Sequence, residues 1–221
     1  MQTLKYIQYF FYLASNWNIS IAWHIIRNEI IGEKKYGICS TGADELHNLE
    51  KKGIDIEHST IYMPASYDLL EIVFDQLNDR NFRHFIDIGS GKGRVMCVAA
   101  SYGLVNISGI DLSKELCEAA RENLARTKLK FPLINYKIIN NDAFYFEIPA
   151  DADCIFLFNP FDEVIMSGVV KNIGISQKKN PRIITVVYLN PLHKALFTKA
   201  GYKEIFHTKR MNYLEASILI K

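Results

Sequence analysis

"FIDIGSGKGRV", residues 85–95, decides how this 221-residue chain is read. Glycines at 89, 91 and 93 follow a short apolar run that carries a single acid, Asp87. A strand, a glycine turn and a helix start form the unit that holds ligands at the carboxyl edge of parallel α/β sheets. Two phosphate-based versions of that unit fail on residues. A Walker loop needs a glycine where the chain has Ile86, and a hydroxyl residue after Lys92 where it has Gly93. The dinucleotide fingerprint, started at Gly89, needs Gly or Ala where the chain has Arg94.

Working outward, strand and helix patterns alternate. "PASYDLLEIVFDQLN" (64–78) opens with Pro64 near a first turn and puts Leu69, Leu70, Ile72, Val73 and Leu77 on one helical stripe. "HFIDIG" (84–89), "VNISGID" (105–111), "INYKIIN" (134–140), "ADCIFLFN" (152–159) and "IITVVYLN" (183–190) read as strands. Helices fall between them: from Arg94 to about Gly103, after the capping Ser113, from Glu163 to Ile173 and from Leu192 to Lys199. "YKEIFHTKR" and "YLEASILIK" close the chain as a hairpin. Strands this apolar, alternating with helices, belong to a parallel sheet covered on both faces. The expected fold is α/β: a seven-stranded, mostly parallel Rossmann-like sheet with a C-terminal antiparallel hairpin, helices on both faces and a helical N-terminal extension. The expected division is an extension over 1–60 and a ligand-binding domain over 61–221.

Three acids follow successive strands: Asp87, Asp111 and Asp142. Bare backbone at Gly89 and Gly91 lets a ligand lie against the main chain. Asp87 suits a cationic group, Asp111 sits where an acid accepts ribose hydroxyls, and Asp142 suits an adenine amino group. Each acid alone has a plain reading, as a helix cap at 111 or a turn residue at 142, and Gly93 alone could serve packing. Together they describe a site for a positively charged, phosphate-free nucleoside, of which S-adenosylmethionine is one.

On these residues the chain resembles the class I (Rossmann-like) S-adenosylmethionine-dependent methyltransferases, over roughly residues 60–221. "IDIGSGKGRV", "GIDLS", "NNDA" and "IFLFNPF" are similar to that superfamily's first four motifs. More narrowly, the chain is similar to a bacterial group of small methyltransferases that pair Y-x-P ("IYMPASY", 61–67) with G-S-G-K-G-R and N-P-F. On that resemblance "YGICSTGADELHNLEKKGID" (36–55) belongs to the same unit. The cofactor set it implies is Tyr62, Asp87, Gly89, Ser90, Gly91, Gly93, Asp111, Leu112, Asp142, Ala143 and Asn159. Tyr62 and Tyr67 are expected to close over the cofactor or to pack in the core. Lys92 and Arg94 are expected as surface or lid contacts.

In the N-P-P-Y amide and adenine methyltransferases, Asn and a Pro carbonyl accept bonds from the target amine, and an aromatic ring stacks on it. Asn159 and Pro160 match the first two places; Phe161 and Asp162 replace the second Pro and the Tyr. The resemblance thus implies a catalytic group of Asn159, Pro160 and Phe161, with Asn159 orienting a nitrogen nucleophile. Two other functions fit the same motifs. One is a protein-lysine methyltransferase of the nucleosomal, non-SET kind, whose first motif D-L-G-S-G-x-G is similar; the other is a non-catalytic cofactor-binding regulator.

Composition bounds the rest. Four cysteines, at 39, 97, 117 and 154, make no C-x-x-C pair and six histidines are scattered, so no metal site is expected. From Val164 onward there are ten Lys and Arg against two acids, in a chain whose overall net charge is +2. That excess reads first as a solvated basic face. Residues 6–26 carry no Asp, Glu, Lys or Arg, yet Gln8, Asn16, Asn18 and His24 interrupt the apolar run too often for a spanning helix. The segment fits an amphipathic unit that docks on its own domain, on a second copy or on a membrane surface. The expected partners are a methyl acceptor, small molecule or protein rather than nucleic acid, and a homodimer or membrane surface reached through residues 1–35. The expected location is the cytoplasm, with membrane association open.

Overall fold

The computed structural model describes residues 2–41, 64–158, 161–211 and 214–221. Tyr62, Asn159 and Pro160, and most of 36–55, lie outside the described residues. The N-terminal segment forms two helices, α1 (Gln2–Asn16) and α2 (Ile19–Tyr36). The side chain of Asn18 accepts from the Ile21 amide and caps α2, while Gly37 ends it with φ 73. Then follow α3 (Tyr67–Asp75), β1 (Phe85–Ile88), α4 (Arg94–Ser101), β2 (Asn106–Asp111), α5 (Lys114–Lys130), β3 (Asn135–Asn140) and β4 (Cys154–Phe158). The chain finishes with α6 (Glu163–Lys179), β5 (Thr185–Leu189), α7 (Lys194–Lys199), β6 (Lys203–Arg210) and β7 (Leu214–Ile220).

The seven strands form one sheet in the order β3-β2-β1-β4-β5-β7-β6. The first five are parallel; β7 lies antiparallel between β5 and β6. Period-two alternation divides the core. Phe85, Phe156, Val187 and Ile218 pack with α3 and α4 on one face, and Ile86, Ile155, Val186 and Tyr188 pack with α6 and α7 on the other. The edge strand β6 carries Lys203, Glu204, Lys209 and Arg210, charges that discourage pairing with another sheet.

Element bounds differ from expectation at three places. Pro64 stands before α3, whose N-cap is the extended residue Ser66. Helix α6 runs past Ile173 to Lys179, because Asp162 caps its start and its buried stripe continues to Ser176. Helix α7 starts at Lys194, not Leu192. The strand order switches direction between the parallel neighbours β1 and β4, so the crevice for a ligand opens at the carboxyl ends of these two strands.

Candidate functional site

The glycine turn is stitched to the end of β2. The amides of Gly89 and Ser90 both donate to the carbonyl of Ile110, at 2.8 and 2.9 Å. The Gly91 amide donates to Asp111 Oδ2 at 2.7 Å, and Ser113 donates to Asp111 Oδ1 at 2.9 Å. Asp111 is therefore fixed in place, with each oxygen holding one backbone N–H. Burial raises its pKa, and these two amides oppose the rise.

Asp87 lies on β1 one pleat beyond Phe85, at the carboxyl end of the strand, and is 2% exposed. Its Oδ2 has no hydrogen-bond partner among the described residues. Burial, reinforced by the nearby Asp111, pushes this carboxyl well above the ordinary carboxylate range. Ser90 Oγ is likewise buried and unpartnered. It sits over Gly109 of β2, where an added Cβ would fall 2.8 Å from it and 2.4 Å from Met96 Sδ. The turn thus packs on β2 only because Gly109 has no side chain.

Gly91 (φ 51) is left-handed and its amide faces Asp111. Gly93 packs closely on a helix. At φ 75 its missing side chain faces α5, 2.8 Å from Leu124 Cδ2 and 3.1 Å from Ala120 Cβ. Its lack of a side chain serves helix packing. Asp142 is half-buried and its carboxylate accepts from the Phe144 amide at 2.8 Å, holding the turn after β3. Ala143 is buried in the core of the second face, and Leu112 is 38% exposed at the rim. Phe161, half-buried against that same core, precedes the cap of α6.

Arg94 overturns the expectation of a surface or lid contact. It is 2% exposed, and its guanidinium is paired at two points with Glu29 of α2. It also donates to Ser40 Oγ and the Ala65 carbonyl, and lies 4.1 Å over the Tyr67 ring. Tyr67 is itself core, stacked on Tyr36 and facing Gly32 of α2. The guanidinium is committed to the N-terminal helices, which leaves the turn dominated by Asp87 and Asp111. Such a site favours a cation over a phosphate.

A cavity of about 300 Å³ opens at the carboxyl ends of β4 and β5, with none of the glycine-turn residues in its lining. Phe158, Leu189 and Asn190 at the ends of β4 and β5 line it, and Tyr9, Ile21, His24 and Ile25 of the N-terminal helices face them. Asn190 holds a left-handed backbone, φ 46, which Asn tolerates better than most residues. His24 Nε2 lies 3.0 Å from Asp68 Oδ2, and Arg210 reaches the same oxygen at 3.5 Å. The sequence allowed this segment to dock on its own domain but did not single out Tyr9, Ile21, His24 and Ile25 as a cavity wall. Its signal was present: Glu29 and Glu33 are the only acids before Asp44, and both are buried.

The family model described as "Histone methylation protein DOT1" matches residues 56–218. The chain belongs to this family. No curated protein matches the sequence. Among solved structures, a ribosomal protein L11 methylase from Lactobacillus delbrueckii superposes with TM-score 0.51 at 12% identity, covering 68% of this chain and 75% of that one. A methyltransferase from Thiobacillus denitrificans, complexed with S-adenosyl-L-homocysteine, gives 0.52 at 17%, covering 72% and 92%. A tRNA (uracil-54, C5)-methyltransferase from Pyrococcus abyssi, complexed with the same molecule, gives 0.52 at 15%; the alignment spans 72% of this chain and 40% of that one. At these identities the likeness speaks for the fold alone. This DOT1-family chain has the Rossmann-like fold of the class I methyltransferases, and the match leaves out α1 and α2, which wall its cavity.

Proposed function

We propose that the chain is an S-adenosylmethionine-dependent methyltransferase acting on a nitrogen nucleophile. Asp87 carries the reading. A buried carboxyl oxygen without a partner costs free energy unless something completes it, and a cation under the glycine turn does so. S-adenosylmethionine matches in charge and in lacking phosphate. Asp87 would hold its ammonium, Asp111 its ribose hydroxyls, and the backbone at Gly89–Gly91 would lie along it. When bound, it supplies a methyl group on a sulfonium, open to in-line displacement.

The chain's own part is alignment and exclusion of water. Asn159 and Pro160, which directly follow β4, are assigned the acceptor nitrogen, accepting its N–H bonds so that its lone pair stays free. Phe161 would pack beside the acceptor. The cavity under α1 and α2 gives the acceptor apolar walls on one side and the strand ends on the other.

The family match favours one refinement, a lysine amine of a protein as the acceptor. Calorimetry with S-adenosylhomocysteine and NAD tests the cofactor, and binding of NAD alone would sink the proposal. Transfer of labelled methyl into fractionated extract tests the acceptor, with label in protein supporting the lysine reading and label in small molecules replacing it. An Asn159→Ala variant with full turnover would remove Asn159 from the mechanism.

A further inference from the structure

The outer face of the N-terminal helices has no role in the site. On α1, Leu4, Ile7 and Phe11 recur at helical spacing and are 58%, 49% and 67% exposed. On α2, Ile19, Trp23, Ile30 and Ile31 share the outer face and are 71%, 67%, 46% and 52% exposed. The two strips are joined. Half-buried Phe10 meets Phe11 edge-on at 5.7 Å and Trp23 edge-on at 6.2 Å. Seven large apolar side chains in one region exceed the scattered exposure of an ordinary surface.

Charge identifies the occupant. Lys5, Arg27 and Lys34 are exposed on these helices, while Lys35 is paired with Glu71 of α3 at 2.8 Å. The two acids, Glu29 and Glu33, are 1% and 4% exposed and turned inward: Glu29 to Arg94, Glu33 to the amides of Ser40 and Thr41 and the hydroxyl of Tyr6. The outer face is apolar, aromatic and carries bases only. A two-fold contact with another copy would bring these bases toward one another. An anionic headgroup layer complements them, while Trp23 and Phe11 sit at the depth that aromatic rings favour. No described helix is long and apolar enough to cross a membrane, which leaves α1 and α2 lying in the interface.

We propose that the outer face of α1 and α2 docks on an anionic lipid surface. The inner face of the same two helices walls the cavity, so docking would hold the cavity one helix layer from the membrane. This placement does not depend on the cofactor.

The test is co-sedimentation of the 221-residue chain with phosphatidylcholine vesicles, with and without phosphatidylglycerol. A Trp17→Phe variant leaves Trp23 as the sole tryptophan, so its emission reports the outer face directly. Sedimentation only with the anionic vesicles, and a blue shift of Trp23 emission on adding them, are expected. Phe11→Glu with Ile19→Glu abolishes both; these positions are two-thirds exposed, and circular dichroism confirms an unchanged fold. Neutralising Lys5 and Arg27 to Gln weakens partitioning roughly fivefold per base. Failure to sediment overturns the proposal, as does sedimentation that survives Phe11→Glu with Ile19→Glu. Ultracentrifugation showing a dimer that Phe11→Glu dissolves, without vesicle binding, overturns it in favour of a second copy.

Discussion

Glu29 on α2 and Arg94, the first residue of α4, form a two-point ion pair closed off from solvent. Both contacts are 2.5 Å, and the two residues are 1% and 2% exposed. Arg94 puts a cation at the positive end of its helix, directly after the glycine turn, and Glu29 offsets that repulsion. Thr41 donates to the same carboxylate, so the pair fastens the N-terminal helices to the turn itself. Replacing Glu29 with Ala leaves a buried guanidinium without its counter-charge, and a loss of about 3–5 kcal/mol is expected. Denaturant unfolding checks this. Glu29→Met combined with Arg94→Met should recover much of that loss, since a buried pair replaced by apolar side chains of similar size is often neutral. A double variant as weak as the single one would show that Arg94 holds the fold through Ser40 and Ala65 instead.

Asp87 is the reverse case, a group whose burial works against stability. Burial, then Asp111, raises its pKa in the folded chain, so the folded state binds this proton more tightly than the unfolded one. The protonated carboxyl's contribution is full below about 3.8, its ordinary value, and is lost as pH rises through the higher folded value. Asp87→Asn cannot ionise. Its melting temperature should overtake that of the natural chain as the pH rises, with a gain of about 0.5–2 kcal/mol near neutrality. The same substitution should remove binding of a cationic ligand. In the natural chain, binding of S-adenosylmethionine should release a proton, so its calorimetric heat varies with the buffer and its affinity rises with pH. A binding heat that is the same in every buffer would detach Asp87 from the ligand.

The strand–helix alternation, the parallel core and the closing hairpin could all be read before any coordinates, because they rest on local signals. "FIDI", "CIFLF" and "TVVYL" put apolar residues on both faces of each strand, which a sheet covered on both faces accommodates. The positions of Asp87 and Asp111 could be read for the same reason: each lies at the carboxyl end of a strand. What could not be read depends on partners distant in sequence. Nothing local to Arg94 says that Glu29, 65 residues earlier, will meet it. Nothing local to Gly93 separates contact with a ligand from contact with Leu124. The wall that α1 and α2 supply to the cavity was hidden for a further reason, since an uncharged aromatic segment looks the same whether it faces a core, a partner or lipid.

Gly93→Ala separates packing from binding at the glycine turn. The residue is left-handed at φ 75, which costs an alanine about 1–2 kcal/mol. Its Cβ would also stand 2.8 Å from Leu124 and 3.1 Å from Ala120, an overpacking worth about 1–3 kcal/mol more. A fall in stability of several kcal/mol by thermal or denaturant unfolding is expected. Gly93→Ala combined with Leu124→Ala should recover the steric part and leave the backbone part. Full stability with lost ligand binding would show that Gly93 serves the ligand rather than the packing.

Leu192→Trp tests the cavity as the acceptor site. Leu192 lines it after β5 and is 68% exposed, so the larger ring can be carried at the rim with little change in stability, within about 0.5 kcal/mol. Asp87 and Asp111, the residues proposed to hold the cofactor, lie on β1 and β2 and do not line the cavity. Affinity for S-adenosylhomocysteine should therefore stay unchanged while KM for the acceptor rises, and kcat falls only if the ring also displaces the reacting nitrogen. Isothermal titration reads the first quantity and labelled-methyl transfer the second. A matched loss of both would mean that the cavity and the glycine turn hold one ligand between them, and an unchanged KM would move the acceptor elsewhere on the carboxyl edge.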